Sequence, residues 1–273
     1  MYTDYWRLKE KPFELTPDPR YVYFSKEHEE ALTRLIYTVR ELKGAMLLTG
    51  LYGCGKTILS RVFLNELKRS KYEVALVTNP RLPAKELLWE IVYQLGGEKN
   101  DGGSKGEFLR AFNEIIYSNL NMRKETIIVI DEAQAIEDLE TYEELRLLLN
   151  FQQDNRFLIT LILIGQPELR KQLKQLPQLK QRLMIEYHLN PLNEQDAMQY
   201  IEHRLRVAGM KQEIFEKKAK ALIYRYSSGT PRIINGIADM SLLEGFVQQK
   251  EMIDQEIVKK VVNDGQLEAS WSA

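Results

Sequence analysis

The sequence has little cysteine and little excess charge of either sign. Its one cysteine, Cys54, has no partner in the chain for a disulfide, so nothing in the composition indicates an oxidising compartment. Lysine and arginine number 38 against 39 aspartate and glutamate residues, which gives a formal net charge of −1. The overall charge of a near-neutral chain does not favour binding to nucleic acid, so such binding would need a local basic patch.

Long apolar runs are also absent. No stretch reaches the roughly 18 consecutive apolar residues that indicate a transmembrane helix. The first residues are not followed by the apolar run of a signal peptide. We therefore expect a cytoplasmic protein with no direct membrane insertion. The 273 residues are 44% apolar and 28% charged, which is typical of a globular protein and sufficient for two domains.

One eight-residue motif, residues 50–57, organises the rest of the chain. It reads Gly-Leu-Tyr-Gly-Cys-Gly-Lys-Thr and fits the pattern G-x-x-x-x-G-K-[ST]. A short apolar run at 45–49 precedes it, as expected of a buried strand, and apolar residues at helical spacing follow over 58–67. Glycines let successive backbone N–H groups turn inward, and the helix N-terminus adds partial positive charge. The motif therefore predicts a phosphate-binding loop.

The predicted ligands of this loop are ATP and Mg²⁺. Lys56 can reach the β- and γ-phosphates, and the Thr57 hydroxyl can hold the Mg²⁺ ion. The other predicted nucleotide-binding residues of the loop are Gly50, Tyr52, Gly53, Cys54, Gly55 and Ile58.

An acidic pair follows a second apolar run, residues 126–130. Asp131, at the end of this predicted strand, is expected to hold Mg²⁺ together with Thr57. Glu132 is expected to be the general base that polarises the attacking water. Phosphoryl transfer also needs cations around the γ-phosphate, and an arginine is the usual one, but spacing alone does not select it.

Apolar strands alternate with helical patterns up to residue 192. The predicted strands are residues 45–49, 74–78, 126–130, 157–164 and 185–192. Their spacing requires crossover connections, so we predict an α/β fold with a mostly parallel five-stranded sheet between helices. Residues 193–273 have no strand pattern and predict a small, all-helical C-terminal domain. The predicted domains are 1–192, which includes a segment rich in proline and aromatic residues at 1–25, and 193–273.

Several stretches together resemble the AAA+ ATPases of the general secretion pathway protein A (ExeA-like) group. Residues 5–19 look like the opening of that group, residues 50–57 its Walker A loop, and residues 127–134 its Walker B strand. The region after the group's fourth strand is similar to residues 165–169 and 179–183. The sensor 2 element of its lid is similar to residues 229–235. The resemblance implies a P-loop AAA+ core followed by a helical lid domain.

The resemblance also implies roles for further residues. Arg232 would be sensor 2, which touches the γ-phosphate in cis, and Gln166 is the candidate for sensor 1. Arg182 would be the arginine finger that reaches the site of a neighbouring subunit, with Arg170 and Arg156 as competitors.

The resemblance also implies that the opening segment, residues 1–25, lies close to the adenine of the nucleotide. Tyr21, Tyr23 and Phe24 could pack there, and core packing explains these aromatic residues equally well.

The function that the resemblance implies is an ATP-hydrolysing assembly motor or switch. It would form homo-oligomeric rings or helical filaments with ATP and act on a protein client of secretion, pilus or exopolysaccharide export machinery. Secretion-type members often continue into a membrane span and a periplasmic domain. This sequence stops after the lid, so we expect a short form without them.

The alternative is an ATP-dependent DNA-binding ATPase of the transposition target-selector type. Basic clusters such as residues 68–71 and 217–220 favour it, whereas the net charge of −1 opposes it. Intact Lys56, Asp131 and Glu132 argue against a scaffold that merely binds ATP. We find no acceptor-binding residues that would indicate a small-molecule kinase.

Overall fold

A computed structural model describes residues 1–15, 18–98, 102–153 and 156–264. In chain order, its α-helices are α1 (Tyr2–Tyr5), α2 (Lys26–Arg40), α3 (Lys56–Glu66), α4 (Ala84–Gln94), α5 (Lys105–Asn121), α6 (Leu139–Leu148), α7 (Glu168–Lys174), α8 (Pro177–Lys180), α9 (Glu194–Val207), α10 (Lys217–Ser227), α11 (Pro231–Val247) and α12 (Gln255–Asp264). Its strands are β1 (Ala45–Gly50), β2 (Tyr72–Val77), β3 (Glu125–Ile130), β4 (Gln152–Gln153), β5 (Arg156–Phe157), β6 (Ile159–Gly165) and β7 (Leu183–Leu189).

The chain folds as two compact units. The sheet unit comprises Glu27–Leu51 and Leu59–Leu189. The helical unit comprises the described residues of Met1–Lys26, Tyr52–Ile58 and Asn190–Ala273.

Parallel strands form the centre of the sheet unit. Among its described residues, five strands make one sheet in the order β2-β3-β6-β1-β7. This confirms the predicted α/β class and its mostly parallel sheet. Every residue of β1 and β6 is buried, as expected for uninterrupted apolar strands covered on both faces. Because β3 and β1 flank β6 in parallel, the carboxyl ends of these three strands lie at the same edge of the sheet.

All five strands of the sheet differ from their predicted bounds by one to three residues at one or both ends, and the pairing partners of the last two show why. The last strand, predicted at 185–192, ends at Leu189, which lies opposite Gly50, the final residue of β1. The strand predicted at 157–164 begins two residues later. Phe157 instead pairs with Gln152 in the short antiparallel ladder of β4 and β5.

Local sequence signals position the helices that cover the sheet. Ser104 and Glu107 form a reciprocal capping box at the start of α5, and the Asp138 side chain caps α6. These helices bury large apolar side chains, such as Phe112 of α5 and Tyr142 of α6. Their apolar faces therefore complete the core on which the sheet packs.

Four long helices, α9 to α12, build the helical unit together with the N-terminal segment. The Trp6 indole Nε1 donates to the Leu242 carbonyl at 2.9 Å. The buried Arg204 side chain of α9 donates to the carbonyls of Pro12 and Glu14 at 2.6 and 3.0 Å. The sequence predicts residues 1–25 as part of the nucleotide-binding domain, whereas the described residues of this segment contact these helices and belong to the helical unit.

Polar side chains cap the starts of two helices of the helical domain. Asn193 caps α9 by accepting from the Asp196 N–H, and Asp254 accepts from the Ile257 N–H at 3.0 Å. Residues 265–273, the end of the predicted domain, lie outside the described part of the chain. Among the described residues, no helix combines the length and the apolar character that a membrane span requires.

Candidate functional site

The phosphate loop of the helical unit has the backbone that its glycines predict. Gly53 and Gly55 adopt φ values of +80° and +99°, in the left-handed region that favours glycine. Helix α3 begins at Lys56, which is only 4% exposed, while the neighbouring Thr57 is exposed. Cys54 is buried within the loop. A curled glycine backbone that runs into a helix start is the arrangement that binds phosphate.

Gly50 ends β1 in the sheet unit, where the loop begins. A Cβ atom at this position would lie 2.7 Å from the Leu189 carbonyl oxygen of β7. Because that distance is too short for a side chain, the first glycine of the motif is required by strand packing.

Arg232 lies beside the loop within the helical unit. Thr230 and Pro231 begin helix α11, and the Arg232 N–H donates to the Gly53 carbonyl at 3.3 Å. Its guanidinium carbon lies 4.6 Å from the centroid of the Tyr52 ring, and its Nη1 donates to the Tyr52 hydroxyl. The structure therefore brings Arg232 together with two of the predicted loop residues.

The acidic pair follows β3 at the carboxyl edge of the sheet. Asp131 is 4% exposed, and its N–H donates to the Val77 carbonyl at 2.8 Å. Glu132 adopts a left-handed backbone, with φ 50° and ψ 38°, and its N–H donates to Asp131 Oδ1 at 2.9 Å. This conformation is unfavourable for a residue other than glycine, and such residues cluster at functional sites.

Two glutamine side chains contact the Glu132 carboxylate. Gln134 Nε2 donates to Glu132 Oε2, and Gln166 Nε2 lies 3.5 Å from the same oxygen. The Gln134 Oε1 atom accepts the Gln166 backbone N–H at 2.9 Å. The structure thus brings the predicted general base together with the predicted sensor 1 residue.

Hydrogen bonds from α6 and α7 fix the turn that carries Gln134. The buried Tyr142 hydroxyl donates to the Ala133 carbonyl at 2.7 Å. Burial raises the pKa of Tyr142 far above its ordinary value, and the protonated phenol is a hydrogen-bond donor. Gln172 Nε2 donates to the Gln134 carbonyl at 3.0 Å.

The three candidate arginine fingers have different surroundings in the sheet unit. Arg182 is partly buried and its Nη2 donates to Asn150 Oδ1 at 2.6 Å. Arg156 forms an ion pair with Glu125. Arg170 is partly buried, and its Nε has no hydrogen-bond partner among the described residues. A trans role for Arg182 would require its release from Asn150.

The aromatic residues of the opening segment pack within the helical unit. Tyr21 is buried under the Arg204 guanidinium, whose central carbon lies 4.8 Å from the ring centroid. The Tyr23 hydroxyl hydrogen-bonds Asp196 Oδ1 at 2.9 Å, and Phe24 is 37% exposed. Core packing accounts for Tyr21 and Tyr23, and an adenine contact by Phe24 stays a prediction.

The residue types fit a magnesium nucleotide. Among the described residues, no three or more His, Cys, Asp or Glu side chains form a group that could hold a metal by themselves. Magnesium bound with a nucleotide needs only one or two protein oxygens, because phosphates and waters complete its octahedron. The Thr57 hydroxyl and the Asp131 carboxylate are oxygens of this kind.

The sequence predicts no role for Gln134, Tyr142 or Gln172. Gln134 stands two residues after Glu132, within the stretch 127–134 that resembles a Walker B strand, and this is the one signal in the sequence that indicates it. The contacts of Tyr142 and Gln172 depend on helices that lie far from Gln134 in the sequence, so spacing could not reveal them.

Comparison with known proteins shows which family the chain resembles. A family model described as an AAA domain matches residues 39–173. General secretion pathway protein A of Aeromonas hydrophila is 41% identical over 257 residues, which cover 93% of this chain and 46% of that protein. The chain thus spans about half the length of this relative.

Solved structures share the fold. The Aeropyrum pernix ORC2 protein (ADPNP-ADP complexes) superposes with a TM-score of 0.69 at 18% identity, covering 96% of this chain and 74% of that chain. The Thermotoga maritima RuvB Holliday junction branch migration motor gives a TM-score of 0.55 at 19% identity, covering 86% of this chain and 68% of that chain. At these identities the similarity shows the fold alone.

Proposed function

We propose that this chain, which belongs to the AAA+ ATPase family, binds MgATP at its phosphate loop, hydrolyses it and thereby switches an oligomeric assembly. The observation that carries the proposal is the loop itself. Its glycines Gly53 and Gly55 have positive φ, and the buried Lys56 stands at the first position of α3. This backbone presents N–H groups and a helix N-terminus to a polyphosphate.

Hydrolysis requires a base and charge neutralisation. Glu132 would take a proton from the attacking water. The water oxygen would bond to the γ-phosphorus while the bond from the γ-phosphorus to the bridging oxygen breaks and ADP leaves. Lys56 would neutralise charge on the transferred phosphoryl group. Thr57 and Asp131 would hold Mg²⁺, which when bound neutralises charge on the β- and γ-phosphate oxygens.

Arginines would neutralise the remaining negative charge of the transition state. Arg232 would touch the γ-phosphate in cis, Arg182 would act in trans on a neighbouring subunit, and Gln166 would sense the γ-phosphate from the end of β6. An arginine finger can be worth about 10³–10⁵ in rate. A site that a neighbour completes makes hydrolysis depend on assembly, so we propose an ATP-dependent homo-oligomer, either a ring or a helical filament.

The cellular role that we propose is related to secretion. The 41% identity to general secretion pathway protein A supports a role in secretion machinery. Pilus and exopolysaccharide export machinery are the related settings that the sequence resemblance implies. The chain would act from the cytoplasmic side on a protein client, with affinity for the client set by the nucleotide state.

Sedimentation velocity of the Glu132→Gln variant tests this assignment. The variant should bind ATP without hydrolysing it and so accumulate the ATP-bound assembly. We would compare ATP with ADP, each with and without duplex DNA. Lys56→Ala is the matched control, because it should not bind nucleotide in either condition.

Each outcome decides between two classes of function. Oligomers that need ATP and ignore DNA support the assembly switch. Oligomers that form only on DNA, and whose DNA binding falls steeply with salt, make the chain a DNA-binding ATPase of the transposition type. A Glu132→Gln protein that stays monomeric with ATP overturns the oligomeric proposal.

A further inference from the structure

We infer that Gln134 is a positioning residue for Glu132, and that it couples the general base to the end of strand β6. The inference rests on the proposed function, because it assigns Glu132 the role of base. Gln134 hydrogen-bonds both Glu132 and Gln166, and neither contact involves the nucleotide.

The chemistry of its neighbours orients the Gln134 amide. The Gln166 backbone N–H can only donate, so the atom that faces it at 2.9 Å must be the carbonyl oxygen Oε1. The amide nitrogen Nε2 is then left to face Glu132 Oε2, which as a carboxylate oxygen accepts. One planar group therefore fixes the end of β6 and the carboxylate at the same time.

This contact leaves one carboxylate oxygen for chemistry. Glu132 Oε2 receives Gln134, with Gln166 Nε2 at 3.5 Å from the same atom. The geometry assigns Oε1 to the attacking water. The left-handed backbone of Glu132, with φ 50°, raises the energy of this conformer, and hydrogen bonds to the side chain help to hold it.

Gly165, the last residue of β6, makes room for the Gln134 amide. A Cβ atom there would lie 2.6 Å from Gln134 Oε1 and 2.8 Å from Leu169 Cδ2. Any side chain at this position would displace the amide. The glycine therefore lets Gln134 link the end of β6 to the base.

The test is a double-mutant cycle on steady-state ATP hydrolysis. The four proteins are the wild type, Glu132→Gln, Gln134→Leu and the double variant. Gln134→Leu should lower kcat by about tenfold to 100-fold, because a displacement of about 1 Å in a reacting group can cost about 100-fold. The KM for ATP should stay unchanged, because Gln134 acts through Glu132 and not on the nucleotide. In the Glu132→Gln background, Gln134→Leu should have no further effect.

Further variants separate positioning from folding. Gly165→Ala should push the amide aside and reproduce the fall in kcat while Gln134 is still present. Gln134→Glu keeps the size of the side chain but cannot donate, so its kcat should also fall. Gln178→Leu, at an exposed glutamine of α8, is the matched control and should behave as wild type.

Failure of the inference differs from failure of the proposed function. If Glu132→Gln hydrolyses ATP at the wild-type rate, the proposed base is wrong. If Glu132→Gln is inactive while Gln134→Leu and Gly165→Ala retain the wild-type kcat, the positioning role is wrong. Equal losses from Gln134→Leu in both backgrounds would also overturn it, because a structural effect would be additive.

Discussion

The Arg232 guanidinium stacks on the ring of Tyr52, with its central carbon 4.6 Å from the ring centroid, and it donates to the tyrosine hydroxyl. Tyr52 belongs to the phosphate loop and is 53% exposed. In the proposed function the same guanidinium must reach the γ-phosphate, so Tyr52 and the phosphate compete for Arg232. Tyr52 therefore weakens the binding of Arg232 to the γ-phosphate.

The first prediction concerns this competition. A cation–π contact at an exposed site is worth about 0.5–1 kcal/mol, so Tyr52→Ala should tighten ATP binding by about twofold to fivefold. ADP lacks the γ-phosphate, and its affinity should change little. Titration with both nucleotides by calorimetry measures the difference, and Tyr226→Ala, at another exposed tyrosine of the helical unit, is the control. Equal weakening of ATP and ADP would contradict the competition.

The second prediction concerns the arginine finger. Arg182→Ala should bind ATP like the wild type and hydrolyse it about 10³-fold or more slowly, the lower end of what a finger contributes. Mixing it with Lys56→Ala should restore part of the activity, because each variant keeps the half of the site that the other lacks. Steady-state phosphate release at several mixing ratios measures this. Mixtures that never exceed the sum of the two separate proteins would place Arg182 outside the neighbouring site.

The third prediction concerns the stability of the helical unit. Arg204 is buried and donates to the carbonyls of Pro12 and Glu14, so Arg204→Ala should lower the free energy of unfolding by about 3 kcal/mol. It should also expose residues 1–15 to protease. Arg206→Ala, at an exposed arginine of the same helix, should change neither quantity. Denaturant unfolding and limited proteolysis distinguish the two variants, and identical behaviour would contradict the account.

The fourth prediction concerns pH. Burial, with Arg206 and Arg204 nearby, lowers the pKa of His203 below its ordinary value. The unfolded chain therefore gains a proton at this histidine as the pH falls through about 6.5, while the folded protein gains it only at a lower pH. The free energy of unfolding should fall between pH 7.5 and 5.5, and less so in His203→Gln. Urea midpoints across this range measure it, and parallel pH profiles for the two proteins would show that His203 is not responsible.

The contiguous features of the fold and of the site could be predicted from the sequence. Strands β1 and β6 are buried on both faces, so each appears as an uninterrupted apolar run. The phosphate loop and the pair Asp131 and Glu132 are short motifs whose chemistry depends on adjacent residues.

Contacts between distant residues could not be predicted in this way. Gln134 and Gln166 are 32 residues apart, and their hydrogen bond depends on the register of β3 with β6. Arg204 donates to the carbonyl of Pro12 across 192 residues, so no local pattern indicates that the opening segment packs on the helices.

The measurement that tests the central claim most directly is single-turnover ATP hydrolysis by Glu132→Gln, with ATP affinity measured on the same preparation. The account predicts wild-type affinity and a hydrolysis rate at least about 100-fold lower, the scale of a lost general base. Lys56→Ala, measured beside it, should lose binding itself. A Glu132→Gln protein that binds ATP and turns it over at the wild-type rate would contradict the account.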